Sequence, residues 1–350
     1  MIRTRVFGVG LALGILGLCG AAPTMAQRSA EPPQQLAPRA DVRPSDATIT
    51  KLSQSIVKVQ AFVPPEARSA SRLGTKREGS GVVIDGNGLI VTIGYLISEA
   101  MAVEVTDHAG KSHHATVVGY DQASGFGLVR LNDKPGLPAV ELGDSASLAE
   151  RQPVIVAAAG GADNLQPALV VSRREFAGSW EYLLDRAIYT TPPSPLFGGA
   201  ALIGADGKLL GIGSLTLASV IPNQRLPGNV FVPIDLLQPM LQDVAATGKP
   251  RASSRPWLGM NADDLEGGML IVGDVSKDGP ASKAGIQRGD VVLSVANGRF
   301  KGLSDFYRRV WSLGGPGVDV PLDVMQKDGF RRLTIKSEDR MRYLKQQPTY

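Results

Sequence analysis

A mainly β chain built as two modules is the fold class this sequence predicts, an antiparallel barrel or sandwich through about residue 235 followed by a smaller α+β module. Short apolar stretches recur at close, regular spacing between turn residues, which is the pattern of many short strands. The 350 residues include 41 Gly and 24 Pro, a turn-rich composition at odds with a helical bundle. After residues 249–256 the pattern changes, and helix starts begin to alternate with strands. At 43% hydrophobic and 20% charged residues the chain can bury real cores.

Residues 1–26 read as a secretory signal. Arg3 and Arg5 open it, residues 6–20 are apolar, and Thr24-Met25-Ala26 offers a small-residue cleavage site before Gln27. The apolar run is too short for a membrane span. Cys19 raises lipidation, but bacterial lipoprotein signals place a small residue before the cysteine and here it is Leu18. Simple cleavage is the expectation, and it leaves a mature, exported chain without a thiol. Residues 27–48, rich in Pro, Gln and Ala, form a flexible tether.

Ordered pattern begins near Ile49. Residues 53–63 end in an alternating strand, and residues 64–78 form a polar, basic loop. A hairpin runs from 81–85 through Gly86-Asn87-Gly88 into 89–92. Strands follow at 102–106, 114–118, 127–131, 153–157, 169–172, 201–203, 209–212 and 230–232. Residues 234–247 make a short amphipathic helix, ended by Gly248 and Pro250. In the second module, strands at 269–272 and 291–295 flank a helix start at Pro280. A helix over 304–312 is stopped by Gly314-Gly315, and residues 318–325 and 331–335 close as a hairpin around Lys327-Asp328-Gly329. Residues 337–350 form a polar, loose tail.

The charge excess is only +4 and no block of like charge exists, which argues against nucleic acid or an anionic membrane as partner. One cysteine excludes an intrachain disulfide and a cysteine-rich metal site. The three histidines are His108, His113 and His114, so any histidine-dependent mechanism must use one of them. His113 and His114 sit on one strand and point to opposite faces. With Asp107 they lack metal-ligand spacing, so no metal and no cofactor is expected, and they read as solvated edge residues.

The second module resembles a PDZ domain of the HtrA type. The resemblance rests on Gly-Pro-Ala-Ser-Lys-Ala-Gly-Ile-Gln-Arg-Gly-Asp-Val-Val-Leu-Ser-Val-Ala-Asn-Gly at 279–298. The first resembles the trypsin-like protease domain of that family through Gly79-Ser80-Gly81, residues 89–92, Val118-Gly119-Tyr120-Asp121, Gly198-Gly199, and residues 207–213 and 229–234. The implied architecture is a chymotrypsin-like double β-barrel over 49–248, a linker at 249–256 and a small α+β PDZ domain over 257–336.

The resemblance fails where the chemistry should be. Proteases of this fold need a serine nucleophile, a histidine base and an aspartate that orients the imidazole. The positions matching these are occupied by Phe197, Tyr95 and Gly125. A phenol titrating near 10 is a poor base at neutral pH. The oxyanion hole would need the N–H of residue 195, which is Pro195 and has none. Four requirements missing together imply a pseudoprotease. The rings of Tyr95 and Phe197 would fill the emptied cleft or line a groove for a peptide.

The PDZ resemblance implies capture of peptide or unfolded-protein C-termini by strand addition, with a turn of N–H groups receiving the terminal carboxylate. The turn is matched by Leu258-Gly259-Met260 after Trp257, and Phe306 and Val310 would form the opposite wall. Lys301, Arg308 and Arg309 read as a solvated face. The reading is an exported, periplasmic, HtrA-like pseudoprotease in envelope quality control, or a scaffold for an active homologous protease. A homotrimer is implied by resemblance only. The alternative is an active serine endopeptidase with a non-standard site.

Overall fold

The protein is described from a computed structural model covering residues 45–251 and 255–344. The expected signal segment, Cys19 and nearly all of the tether lie outside the described residues.

Strands β1 (Ile56–Phe62), β2 (Lys76–Val83), β3 (Leu89–Ile93), β4 (Ala102–Thr106), β5 (Ser112–Tyr120) and β6 (Phe126–Leu131) close a barrel in the order β1-β2-β3-β6-β5-β4. A second barrel, ordered β10-β11-β12-β9-β8-β7, is built from β7 (Pro153–Ala157), β8 (Leu165–Gly178), β9 (Tyr182–Thr191), β10 (Ala201–Ile203), β11 (Leu209–Leu217) and β12 (Gly228–Pro233). Beyond them β13 (Met260–Leu265), β14 (Met269–Val275), β15 (Val291–Val295), β16 (Asp319–Gln326) and β17 (Gly329–Lys336) form a five-stranded antiparallel sheet in sequential order. The helices are α1 (Asp46–Ser55), α2 (Ala70–Leu73), α3 (Gly94–Ile97), α4 (Gln238–Thr247), α5 (Pro280–Lys283), α6 (Leu303–Ser312) and α7 (Arg340–Leu344).

Period-2 alternation sets which face is buried. In β1, Val57, Val59 and Ala61 are fully buried while Lys58 and Gln60 lie partly exposed. In β16, Val320, Leu322 and Val324 do the same between Asp319, Pro321 and Asp323. Helix α6 buries Leu303, Phe306, Tyr307 and Val310, one stripe at helical spacing. These residues close the core of the small sheet with Leu258, Met260 and Ile335.

Several expectations are corrected. The strand expected at the end of residues 53–63 is β1, and α1 runs into it from a first turn capped by the Ser45 hydroxyl, which accepts from the Thr48 N–H at 3.2 Å. The segment after 336 is not loose through Leu344. Trp257 and Glu338 exchange backbone bonds of 3.0 Å, and the Tyr343 ring of α7 lies 4.5 Å from that of Trp257. Arg308 is not merely solvated: it bridges to Glu175 of β8 at 2.6 Å and Asp185 of β9 at 2.5 Å.

His113 is the sharpest correction. It is buried in barrel one, with Nδ1 2.8 Å from Asp133 and Nε2 2.9 Å from Asp107, while its neighbour His114 is exposed. Strand alternation puts one histidine in and one out, and two flanking carboxylates make the inward position tolerable. Burial by itself would lower the imidazole's pKa, but the two carboxylates outweigh it and hold the value above 6.5. Asp107 is lowered from 3.8 despite burial, by hydrogen bonds from His113 and the turn backbone. Asp133 is lowered chiefly by His113.

The signs define a pH window. The raised imidazole contributes stability that is full below 6.5 and lost as pH climbs through its folded value. The lowered carboxylates contribute stability that is present above 3.8 and lost as pH falls through their folded values. The cluster therefore stabilises most between these limits. His113→Gln should cost about 2 kcal/mol at pH 5.5 and flatten the decline of stability above neutrality. Urea unfolding across pH measures this, and an unchanged pH profile would refute it.

Candidate functional site

A cleft between the barrels brings together the three positions singled out in the sequence. Tyr95, Gly125 and Phe197 line one cavity of about 1070 Å³, which extends over Trp180 and Tyr182 to Trp257 and Tyr343. None of His108, His113 and His114 lines it.

The frame around it is tightly determined. The Ser80 N–H of β2 donates to the Gly198 carbonyl at 2.8 Å, and the Ala159 N–H donates to the Ser80 hydroxyl at 3.0 Å. This close approach explains the Gly79-Ser80 and Gly198-Gly199 matches. A Cβ on Gly79 would stand 2.6 Å from the Gly198 oxygen, and one on Gly199, at φ 76°, would stand 2.0 Å from the Ser80 oxygen.

Each position within the frame has a structural occupation. Tyr95, on α3 of barrel one, reaches across and donates its hydroxyl to the Ser214 carbonyl of β11 at 3.1 Å. Burial raises its pKa well above the usual phenol value, so it keeps its proton at neutral pH. The buried Arg77 fixes the turn beneath it, donating to the Tyr95 and Ser98 carbonyls at 2.8 and 2.9 Å. Gly125 accepts from the Gly94 N–H at 2.7 Å and has φ 84°. A Cβ there would lie 2.9 Å from the Tyr182 hydroxyl, which donates to the adjacent Ser124 carbonyl. Asp121, the carboxylate of the matched stretch, accepts from the Ala123 and Ser124 N–H groups of its own turn at 3.2 and 2.8 Å. The Phe197 carbonyl accepts from the Ala200 N–H at 3.0 Å, and Pro195 is exposed. The nearby Ser194 is buried, its N–H donating to Asn229 Oδ1 at 2.6 Å.

The second candidate site lies at residues 257–260. The N–H groups of Leu258, Gly259 and Met260 converge on one carboxylate, at 2.8, 2.7 and 3.2 Å. It belongs to Glu181, in the turn joining β8 to β9 of the second barrel. Gly259 has φ 78°, and a Cβ there would press within 3.2 Å of Pro280 and the Trp257 ring. Burial dominates Glu181 and pushes it up to about 7, although the three N–H donors and Arg340 pull the other way. Phe306 and Val310 are 0% and 1% exposed and sit in the apolar core with Leu258 and Met260. Leu183 of the second barrel belongs to the same cluster. Trp257, at 4% exposure, packs on Tyr343.

Nothing in the sequence marked Glu181. Its only local signal is a polar turn between two strands, and its partners lie 77 to 79 positions away.

Two closed barrels followed by a small sheet with a carboxylate-binding turn define a trypsin-like peptidase fold carrying a C-terminal PDZ domain. Residues 79–212 match the trypsin-like peptidase domain family, and residues 256–336 match the PDZ domain family. The serine endoprotease DegS of Escherichia coli is 27% identical over 293 residues, covering 77% of this chain and 78% of its own length. A probable periplasmic serine endoprotease, DegP-like, of Halomonas elongata is 29% identical over 301 residues. That match covers 80% of this chain but only 60% of the relative. Among solved structures, the HtrA-type protease AlgW with tripeptide superimposes with a TM-score of 0.50 at 20% identity, over 84% of this chain and 97% of that one. The chain belongs to the HtrA-type family.

Two substitutions test how the cleft is built. Gly125→Asp should destabilise by about 2–4 kcal/mol, because it combines a left-handed φ with a clash against Tyr182. Tyr95→Phe should cost about 1 kcal/mol, the net value of one hydrogen bond. Chemical denaturation measures both, and a neutral Gly125→Asp would contradict the geometry.

Proposed function

We propose that this chain is an exported, non-hydrolysing HtrA-family protein that captures peptide or unfolded-protein C-termini through its PDZ domain. It would act in envelope protein quality control, or as a scaffold or regulator of an active relative. The single observation that carries the reading is the composition of the interbarrel cavity, where Tyr95, Gly125 and Phe197 stand and no histidine is present. Proteases of this fold run the reaction on a base, an orienting carboxylate and a nucleophile in register. Here the corresponding groups are a buried phenol bonded to a carbonyl, a side-chain-free turn and a hydrocarbon ring. Pro195 removes an oxyanion donor as well.

The peptide-binding half rests on the Leu258-Gly259-Met260 turn, whose three N–H groups are spaced to hold one carboxylate. The periplasmic description of the Halomonas relative supports export. Assembly as a trimer belongs to the same proposal.

Purified protein incubated with denatured casein should release no peptides above buffer, and a fluorophosphonate probe should label no serine. The triple variant Tyr95→His, Gly125→Asp, Phe197→Ser should remain inactive, because Pro195 and Tyr182 still obstruct the site. Specific labelling that disappears on mutation of one named serine would establish the competing reading, an active endopeptidase with a non-standard site. Titration with a library of free C-terminal peptides tests the binding half.

A further inference from the structure

The turn at residues 178–182 engages the PDZ domain at several points, and each resembles what an extended peptide offers. The Glu181 carboxylate takes the three N–H groups of Leu258, Gly259 and Met260. Two residues earlier, the Ser179 carbonyl accepts from the Ala262 N–H of β13 at 3.1 Å. Bonds to alternate residues of one strand are the pattern of an added strand. Leu183 is 5% exposed and joins the apolar cluster of Leu258, Met260 and Phe306. The far side is fixed by Tyr307 of α6, whose hydroxyl donates to the Gly178 carbonyl at 2.8 Å and accepts from the Glu181 N–H at 3.0 Å. Arg340 of α7 donates to the Trp180 carbonyl at 3.3 Å.

We infer that residues 178–182 are a tethered internal ligand, Glu181 standing in for a peptide's terminal carboxylate, and that an external peptide enters only by displacing this turn. The inference rests on the proposed peptide-binding reading and adds its regulation. The displacing ligand is a peptide with a free C-terminal carboxylate and an apolar last side chain, since those features reproduce what Glu181 and Leu183 provide. Backbone strain favours release: Glu181 is not a glycine yet holds φ 61°, a conformation kept by the surrounding contacts. Burial of its carboxylate also opposes the docked state, as the rise toward neutral pH indicates. Trp180 and Tyr182, on either side of Glu181, both line the interbarrel cavity. Displacement therefore moves residues of the cleft as well as opening the groove.

The test uses the full chain and two variants, Glu181→Gly, which removes the carboxylate and tolerates the positive φ, and Glu181→Gln, which keeps the shape and loses the charge. The probe is a fluorescein-labelled decapeptide ending in Val-Tyr-Val with a free carboxylate, beside its C-terminal amide. Each variant's thermal melt is recorded, and Glu181→Gln replaces Glu181→Gly if the latter fails to fold. The expected result is at least tenfold tighter binding of the free-carboxylate peptide to the variant than to wild type, with the amide binding neither. Equal affinity for wild type and variant would overturn the tethered-ligand inference while leaving peptide capture standing. If no peptide binds either form, peptide capture fails. The internal contact is then judged by amide hydrogen exchange over 258–262: at least tenfold faster exchange in the variant supports it, and unchanged protection refutes it.

Discussion

One carboxylate holding three backbone N–H groups is the contact on which the domain arrangement depends. Glu181 docks the second barrel into the small sheet at Leu258, Gly259 and Met260. The strands beside it complete the joint, with Glu175 on β8 and Asp185 on β9 gripping Arg308 of α6 from two sides. The ion pairs are solvated and contribute little each, but they fix which face of α6 meets the hairpin. Arg68 adds a further link from barrel one, donating to the Lys277 carbonyl at 2.9 Å and lying 4.1 Å over the Tyr343 ring. Position 181 thus sits at the centre of a joint with several members.

The same turn also shapes the cleft. Tyr182 follows Glu181, stacks on Trp180 with centroids 5.9 Å apart, and places its hydroxyl where a side chain at position 125 would have to go. The space an orienting aspartate needs is thereby filled from the hairpin. Tyr95 in turn occupies the Ser214 carbonyl of β11. Tyr95 and Tyr182 thus each reach across the cleft to a backbone carbonyl of the other barrel.

Legibility in the sequence followed the range of the physics. Strand alternation is local, so the barrels and the closing hairpin of the sheet could be read from period-2 patterns such as that of β16. The glycines at 79 and 199 were visible as motif residues, and the structure supplies their reason in contacts of 2.6 and 2.0 Å that no side chain tolerates. His113 was misread because its second carboxylate, Asp133, lies 20 positions on, past the neighbouring strand β6, and alternation within β5 does not say which of its faces is buried. The α7 helix was missed for a similar reason, since its order comes from Trp257 and Tyr343 meeting across 86 positions. Phe306 and Val310 show the limit of spacing arguments. Their separation identified one face of a helix correctly, but spacing alone cannot say whether that face lines a groove or closes a core.

Glu181 lay beyond such reasoning altogether, and its energetics explain why it is neither a simple bolt nor an accident. Charge-assisted hydrogen bonds contribute about 1.5–3 kcal/mol each, and three of them meet here. Yet the carboxyl's rise from 4.5 to about 7 means that docking shifts the balance from its ionised toward its protonated form by ~3 kcal/mol compared with water. Burial costs more than the donors and Arg340 return. The sign follows: stability tied to this group is full below 4.5 and is lost as pH climbs through about 7. The joint must therefore draw its net strength from the neighbours, namely buried Leu183, the paired bonds of Tyr307 and the Ser179 carbonyl on β13. A contact specific in geometry but weak in net free energy is the kind that a better-placed carboxylate can replace.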